Sequence, residues 1–296
     1  MMVKRLKKRS LTSADAFDVI NVILLVCITL IILLPLWNII VISFSSAQSI
    51  AEGNCLFWPT EFSLENYRRV FADSSILTAF LVSVGRTVIA VVLHTFFCAM
   101  MAYAMSKQNL VGRKFYSAVG IITMFFSGGM IPTYLVIRQL GLLNNFWVYI
   151  IPSLLGYYDI VILMNFFRSI PASLEESARV DGAGHWRTFL SIVLPLSKPA
   201  LSTIALYQGV YQWNDFMTTR LYITDEILYP LQMKLYLLLT QTTSAALQSA
   251  TTSTGVVSSR GLNMATVIIS TLPIIAIYPF LQKNFISGIM IGAVKE

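Results

Sequence analysis

Charge is scarce in this chain: Asp, Glu, Lys and Arg together make up 12% of its 296 residues, where a soluble domain carries roughly 25%. Beside a 56% share of hydrophobic residues, that scarcity excludes an ordinary soluble domain and points to a chain that crosses a membrane several times. Cysteine is equally sparse. Cys27 and Cys98 lie inside apolar runs and Cys55 stands alone in a polar loop. With no CxxC pair and no even external set, neither a disulfide framework nor a zinc site is supported, and the three read as small apolar fillers. The two histidines, His94 and His185, are too few to build a metal centre or a proton relay. The phosphate loop G-x-x-x-x-G-K-[ST], the H-E-x-x-H helix and any nucleophile–base or paired-carboxylate constellation are missing too, so neither a membrane enzyme nor a nucleotide site of that type is supported. The net charge of +7 does not indicate nucleic acid, because the basic residues gather beside the ends of apolar runs instead of along one face.

What is present is length in the apolar runs. Six stretches, about 19–43, 76–105, 116–137, 147–168, 198–219 and 262–284, reach the 20 or so residues that cross a hydrocarbon core as a helix. None alternates with period two, so a barrel is excluded and six transmembrane helices are expected. The first run is too long for the core of a cleaved signal and is expected to stay as a span. Most of the 21 Lys and Arg residues fall in the tail 1–16, after the second run, between the fourth and fifth, and at the C-terminus. The positive-inside rule makes that side cytoplasmic, with both termini there. Residues 17–296 are expected to form one transmembrane domain.

Two outer segments are long. Residues 45–75 hold Phe57, Trp58, Pro59 and Tyr67 and are expected to fold against the membrane surface. Residues 220–261 hold Thr240, Gln241, Thr242, Thr243 and Ser244 and are expected to be a mobile loop. Inside the spans, polar residues are functional candidates. Asp159 and Asn165 of the fourth run, with Gln208, Tyr211, Gln212, Trp213 and Asn214 of the fifth, are the candidates for a polar path; interhelical hydrogen bonding is the plainer alternative. Arg86 is expected to snorkel from the outer end of its span, and His94 to be a packed, hydrogen-bonded imidazole.

The stretch 171–195 is a polar insert between two spans. Pro171 and then Glu175 and Glu176 suit a helix start. Gly182 and Gly184 favour a turn, and a second short helix from His185 to Val193 is expected to stop at Pro195. The order Glu176, Ser177, Ala178, three residues, Gly182, nine residues, Ile192, Leu194, Pro195 resembles the EAA signature of the membrane subunits of bacterial ABC importers, with Ser177 where alanine is usual. The wider run through Asp181, Gly182, Ala183 and on to Ala200 is similar to the carbohydrate-uptake branch, which includes the second permease of the maltose importer. Ala102-Tyr103-Ala104, Trp213-Asn214-Asp215-Phe216 and the tail 288–295 agree. Phe126-Ser127-Gly128-Gly129 through Tyr134 resembles the subgroup that imports complex or acidic oligosaccharides such as alginate and pectin fragments.

The resemblance implies an all-α fold, the type I ABC importer permease with a cytoplasmic coupling helix, in the bacterial cytoplasmic (inner) membrane. It implies an oligosaccharide importer with no cofactor in this chain: ATP and Mg would sit on two separate ATPase subunits gripped by Glu176, Ser177, Ala178, Asp181, Gly182 and Ala183, while Ile192, Leu194 and Pro195 pack the segment onto the spans. Lys295 and Glu296 would touch the ATPase as well. A second, different permease and an extracytoplasmic sugar-binding protein are the other implied partners, the latter reached by Thr240 to Ser244. An ion-coupled secondary transporter or channel is the competing class, although Asp159 is a single carboxylate and no half-to-half symmetry is visible.

Overall fold

The computed structural model describes residues 13–53, 55–248 and 260–276, with all their side chains except those of 13–16 and 242–248. Among these residues the regular structure is helical, apart from one isolated bridge between Ser45 and Phe62. The chain divides into two compact units, Met1–Val70 with Ala245–Ile268, and Phe71–Ser244 with Ile269–Glu296.

In the first unit, α1 (Ser13–Ser43) carries Pro35 in its interior and is exposed from Phe17 to Trp37, as a span that faces lipid or another chain must be. Its end is tied down. Asn66 of α3 (Glu65–Ala72) donates to the carbonyls of Ser43 at 3.1 Å and Ser45 at 3.0 Å. Between them, α2 (Ala47–Ala51) is capped by Ser46, whose hydroxyl accepts from the Ser49 amide. Gly261, in the first turn of α14 (Arg260–Ala276), lies so close to Asn66 that an added Cβ would stand 2.6 Å from its side chain.

The second unit is organised around α4 (Ser74–Ser106), an unbroken helix of 33 residues capped by Asp73. Small residues let neighbours approach closely, as in membrane helix packing generally. α4 packs along α7 (Tyr157–Arg168) and α11 (Lys198–Asn214), with Cys98, Ala99, Ala102, Leu163, Val193 and Ile204 fully buried between them.

Three of the expected spans are not straight. The run expected over 116–137 breaks into α5 (Arg113–Phe125) and α6 (Met130–Gln139), bent by 116°. The cause is local: Gly129 has φ +89, a conformation open to glycine, and its amide donates to the Ser127 hydroxyl. The run expected over 147–168 opens with two 3-10 turns, Phe146–Tyr149 and Ile151–Ser153, before α7, with a 49° bend; Pro152 has no amide to continue a ladder. The run expected over 198–219 ends at Asn214, and α12 (Met217–Tyr222) follows as a separate turn.

The insert between α7 and α11 folds as the expected helical hairpin. α8 (Ala172–Val180) stops at Gly182 with φ +78. Ala183 donates to the Ala178 carbonyl at 2.8 Å and Gly182 to that of Arg179 at 3.0 Å, the Schellman pattern that satisfies the last carbonyls of a helix. α9 (His185–Thr188) then widens into a π turn over Phe189–Val193 and continues through α10 (Leu194–Leu196). The helix therefore runs one residue past Pro195 before bending by 81° into α11. A proline ring displaces the carbonyl four residues back, and a π turn there accommodates it.

The segment expected to be a mobile loop is another correction: α13 (Leu231–Gln248) places Thr240 to Ser244 on a helix. Long aliphatic residues at Leu235, Leu237, Leu238 and Leu239 outweigh the low helix propensity of the threonines. Of the sixth expected run, 262–284, the portion through Ala276 is described and is helical.

Candidate functional site

A cavity of about 500 Å³ opens in the second unit. Its wall comes from α4, α6, the 3-10 turns, the start of α7 and the end of α11. Tyr207, Tyr211 and Tyr222 contribute aromatic faces, Gln208 and Gln212 amides, and Thr133, Ser153 and Thr218 hydroxyls. Two carboxylates, Asp159 and Asp215, and one imidazole, His94, complete its ionisable lining.

Each carboxylate is held by a base from α4. His94 Nδ1 lies 2.7 Å from the Ser153 carbonyl and Nε2 lies 3.0 Å from Asp159 Oδ2. A carbonyl only accepts, so Nδ1 carries the proton there. The contact at Nε2 then needs one further proton, on the ring or on the carboxyl group. Gly156 permits this approach, since a Cβ on it would stand 2.8 Å from Asp159 Oδ2.

Arg86 departs from expectation. Instead of snorkelling it is wholly buried, with its Nη2 3.1 Å from Asp215 Oδ2 and 2.9 Å from the Asp215 carbonyl. Its Nε and Nη2 both donate to the Gln212 carbonyl, and its guanidinium lies 4.5 Å over the Tyr149 ring. The snorkelling expectation missed that α11 ends within reach of Arg86, so Nε and Nη2 find acceptors inside the fold, while Nη1 is buried with no hydrogen-bond partner among the described residues. Gln212 in turn donates to the Tyr149 carbonyl and the Ser153 hydroxyl, each at 2.8 Å. The Tyr149 hydroxyl donates to the Leu228 carbonyl at 2.9 Å.

Of the polar-path candidates, Asp159, Gln208, Tyr211 and Gln212 thus meet at one cavity. Asn165 is exposed on α7 away from it. Trp213 points elsewhere, its indole donating to the Ser270 carbonyl at 2.8 Å, and Asn214 is exposed, donating to the Val210 carbonyl. Arg86, Tyr149, Ser153 and Asp215 were not singled out for this site. One signal for them existed: Ala79, Ser83, Arg86, Ala90 and His94 recur at helical spacing along α4, and all five are buried.

The hairpin 171–195 presents a second surface. Glu176, Ser177, Asp181 and Gly182 are exposed, while Ala178 is buried and Ala183 half-buried. Val180 is 88% and Trp186 55% exposed, so this polar surface carries an apolar centre of the kind that protein partners cover. Phe189 and Val193 are buried in the core, with Leu194 packed against it; Ile192 is half-buried and Pro195 exposed. Glu175 turns the other way and pairs with Lys107. On α13, the Thr240 hydroxyl bonds back to the Tyr236 carbonyl and Gln241 is exposed. The side chains of Thr242, Thr243 and Ser244, like Lys295 and Glu296, lie outside the described residues.

No family model matches the chain, but individual proteins do. Protein LplC of Bacillus subtilis (strain 168) is 40% identical over 279 residues, covering 94% of this chain and 95% of its own. The polygalacturonan/rhamnogalacturonan transport system permease protein YtcP of the same organism is 39% identical over 282 residues, covering 94% and 98%. A chain in the crystal structure of a bacterial ABC transporter involved in the import of the acidic polysaccharide alginate matches with a TM-score of 0.84 at 31% identity, over 93% of this chain and 98% of that one. Similarity of this extent sets aside the ion-coupled transporter and channel alternatives. A helical membrane chain with a polar cavity, an exposed polar hairpin over 171–195 and relatives matched over nine-tenths of its length, this protein belongs to the permease subunits of ABC-type carbohydrate importers.

Proposed function

We propose that the chain is one of two unlike permeases that carry an acidic oligosaccharide, of the pectin- or alginate-fragment class, through the bacterial cytoplasmic membrane. The 171–195 hairpin faces the cytoplasm with both termini, and two separate ATPase subunits bind ATP and Mg and hydrolyse it; this chain contributes no nucleotide site and no cofactor. Glu176 and Asp181 meet basic residues of the ATPase groove. Gly182 permits close approach of the backbone, and the buried Phe189–Val193 segment carries the resulting motion into the spans. A two-state rocking of the helices, biased by ATP on the partners, then opens the path alternately to each side.

The observation that carries this reading is the division of labour within the hairpin: one face is buried in the membrane-domain core, while the other exposes Glu176, Val180 and Asp181 around a glycine turn. The cavity supports a carbohydrate, because aromatic faces flanked by amides and hydroxyls match the alternating apolar and hydroxylated faces of a sugar ring. The acidic class rests on the named substrates of YtcP and the alginate importer. A binding protein on the outer side delivers the sugar, with Thr240 to Ser244 on α13 as the candidate contact.

The test is reconstitution with the second permease, ATPases and binding protein in proteoliposomes. ATP-dependent uptake of trigalacturonate, with maltotriose excluded, is expected. Uptake of the neutral sugar alone would remove the acidic assignment, and ATPase that still copurifies with Glu176→Ala/Gly182→Arg would remove the docking assignment.

A further inference from the structure

We propose that the ion pair between Lys107 and Glu175 is the tie through which movement of the coupling hairpin reaches α4, which makes both of them positioning residues for transport. The inference rests on the hairpin's being the ATPase contact, and adds the route by which its displacement enters the membrane domain.

The two adjacent acids of α8 have parted. Glu176 is exposed, whereas Glu175 has a side chain only 16% exposed and binds Lys107 at the C-cap of α4. The Lys107 ammonium also lies 4.2 Å over the Tyr103 ring. Tyr103 packs against Phe189 with the rings tilted and their centroids 5.3 Å apart, and Phe189 lies 5.7 Å from Trp186 and 6.3 Å from Phe96. Both arms of the hairpin therefore grip the last turns of one helix: α8 by a charge pair, α9 and its π turn by an aromatic cluster.

That helix suits the task. The apolar stretches over 113–139, 146–168 and 185–214 bend by 116°, 49° and 81°, and each bend is a place where a push is absorbed. α4 runs without interruption from Ser74 to Ser106. From Lys107 to Arg86 the distance along it is about 30 Å at the helical rise. At that far end Arg86 holds the end of α11, and His94 on the way holds Asp159 at the cavity wall. A displacement applied at Lys107 thus arrives at both base–carboxylate contacts of the cavity by rigid helix. Aromatic packing tolerates sliding. A half-buried ion pair does not, because separating the charges leaves them poorly solvated, so the pair sets the register of pull.

The experiment uses the complete transporter with its ATPases and binding protein, comparing Lys107→Glu, Glu175→Lys and the exchange Lys107→Glu/Glu175→Lys. Three quantities are read: copurification of the ATPase, ATP hydrolysis, and sugar moved per ATP. Each single variant is expected to keep the ATPase bound and hydrolysing while sugar per ATP falls about tenfold, within the range of coupling free energies between sites; the exchange is expected to restore most of it. Singles that keep the wild-type ratio would overturn the proposal. So would an exchange variant that stays as impaired as the singles, whether through uncoupling or through failure to assemble. The docking reading fails by a separate result, an ATPase that remains bound to Glu176→Ala/Gly182→Arg.

Discussion

Arg86 and Asp215 face each other at 3.1 Å, their side chains 0% and 12% exposed, and join the middle of α4 to the end of α11. The pair does more than neutralise two charges. Asp215 Oδ1 also accepts from the Thr218 amide, so the same carboxylate starts α12, and Arg86 occupies the Gln212 carbonyl at the end of α11. The break between α11 and α12 is held open by one buried guanidinium.

Removing one member leaves the other uncompensated. Arg86→Ala is expected to destabilise the detergent-solubilised protein by about 3–5 kcal/mol. A lower unfolding midpoint checks it, and Arg86→Ala/Asp215→Ala is expected to recover part of the loss. An unchanged midpoint in the single variant would mean that the pair contributes nothing net.

Gly120 stands against the Tyr157 ring, so close that any Cβ would overlap it. Gly120→Ala is expected to cost about 1–3 kcal/mol through overpacking of α5 on α7. Thermal unfolding measures the cost, and Gly120→Ala/Tyr157→Leu, which removes the ring, should relieve it.

Gln208 and Tyr211 reach the cavity without belonging to the Arg86 clamp. Gln208→Ala and Tyr211→Ala are each expected to remove about 1 kcal/mol of sugar contact, roughly fivefold in the apparent affinity for uptake. Assembly with the ATPase should be unaffected. Asn165→Ala, away from the cavity, serves as the control and should leave uptake unchanged.

Gly182 adopts φ +78, where a side chain costs about 1–2 kcal/mol. Gly182→Ala is expected to lower stability slightly and weaken ATPase copurification, because the hairpin turn shifts. Glu176→Ala leaves the turn intact and is expected to weaken copurification alone. Equal behaviour of the two in both measurements would refute this separation.

Much of this protein was legible in its residues. The apolar runs anticipated the two long apolar helices, over Phe17–Ser43 and Ser74–Ser106, because a bilayer demands a fixed length of helix from any sequence. The spacing from Glu176 to Pro195 gave the hairpin, because Gly182 is required locally for the turn. The kinks at Gly129, Pro152 and Ser197 were less visible: hydropathy averages over windows longer than a glycine pair or one proline. The helix over Thr240 to Ser244 was misread for the opposite reason, since polar composition outweighed the leucines beside it.

By themselves the residues determined that the chain is a helical membrane protein and where its two long apolar helices run, since both follow from transfer energies and backbone preferences read along the chain. Which polar groups meet was decided only by the tertiary structure. Arg86 finds Gln212 and Asp215, His94 finds Asp159, and Lys107 finds Glu175, although at least 65 residues separate the members of every pair. No local rule assigns a partner at that separation. It comes from how α7, α8 and α11 lie against α4, and that follows from side-chain shapes summed over the whole interface.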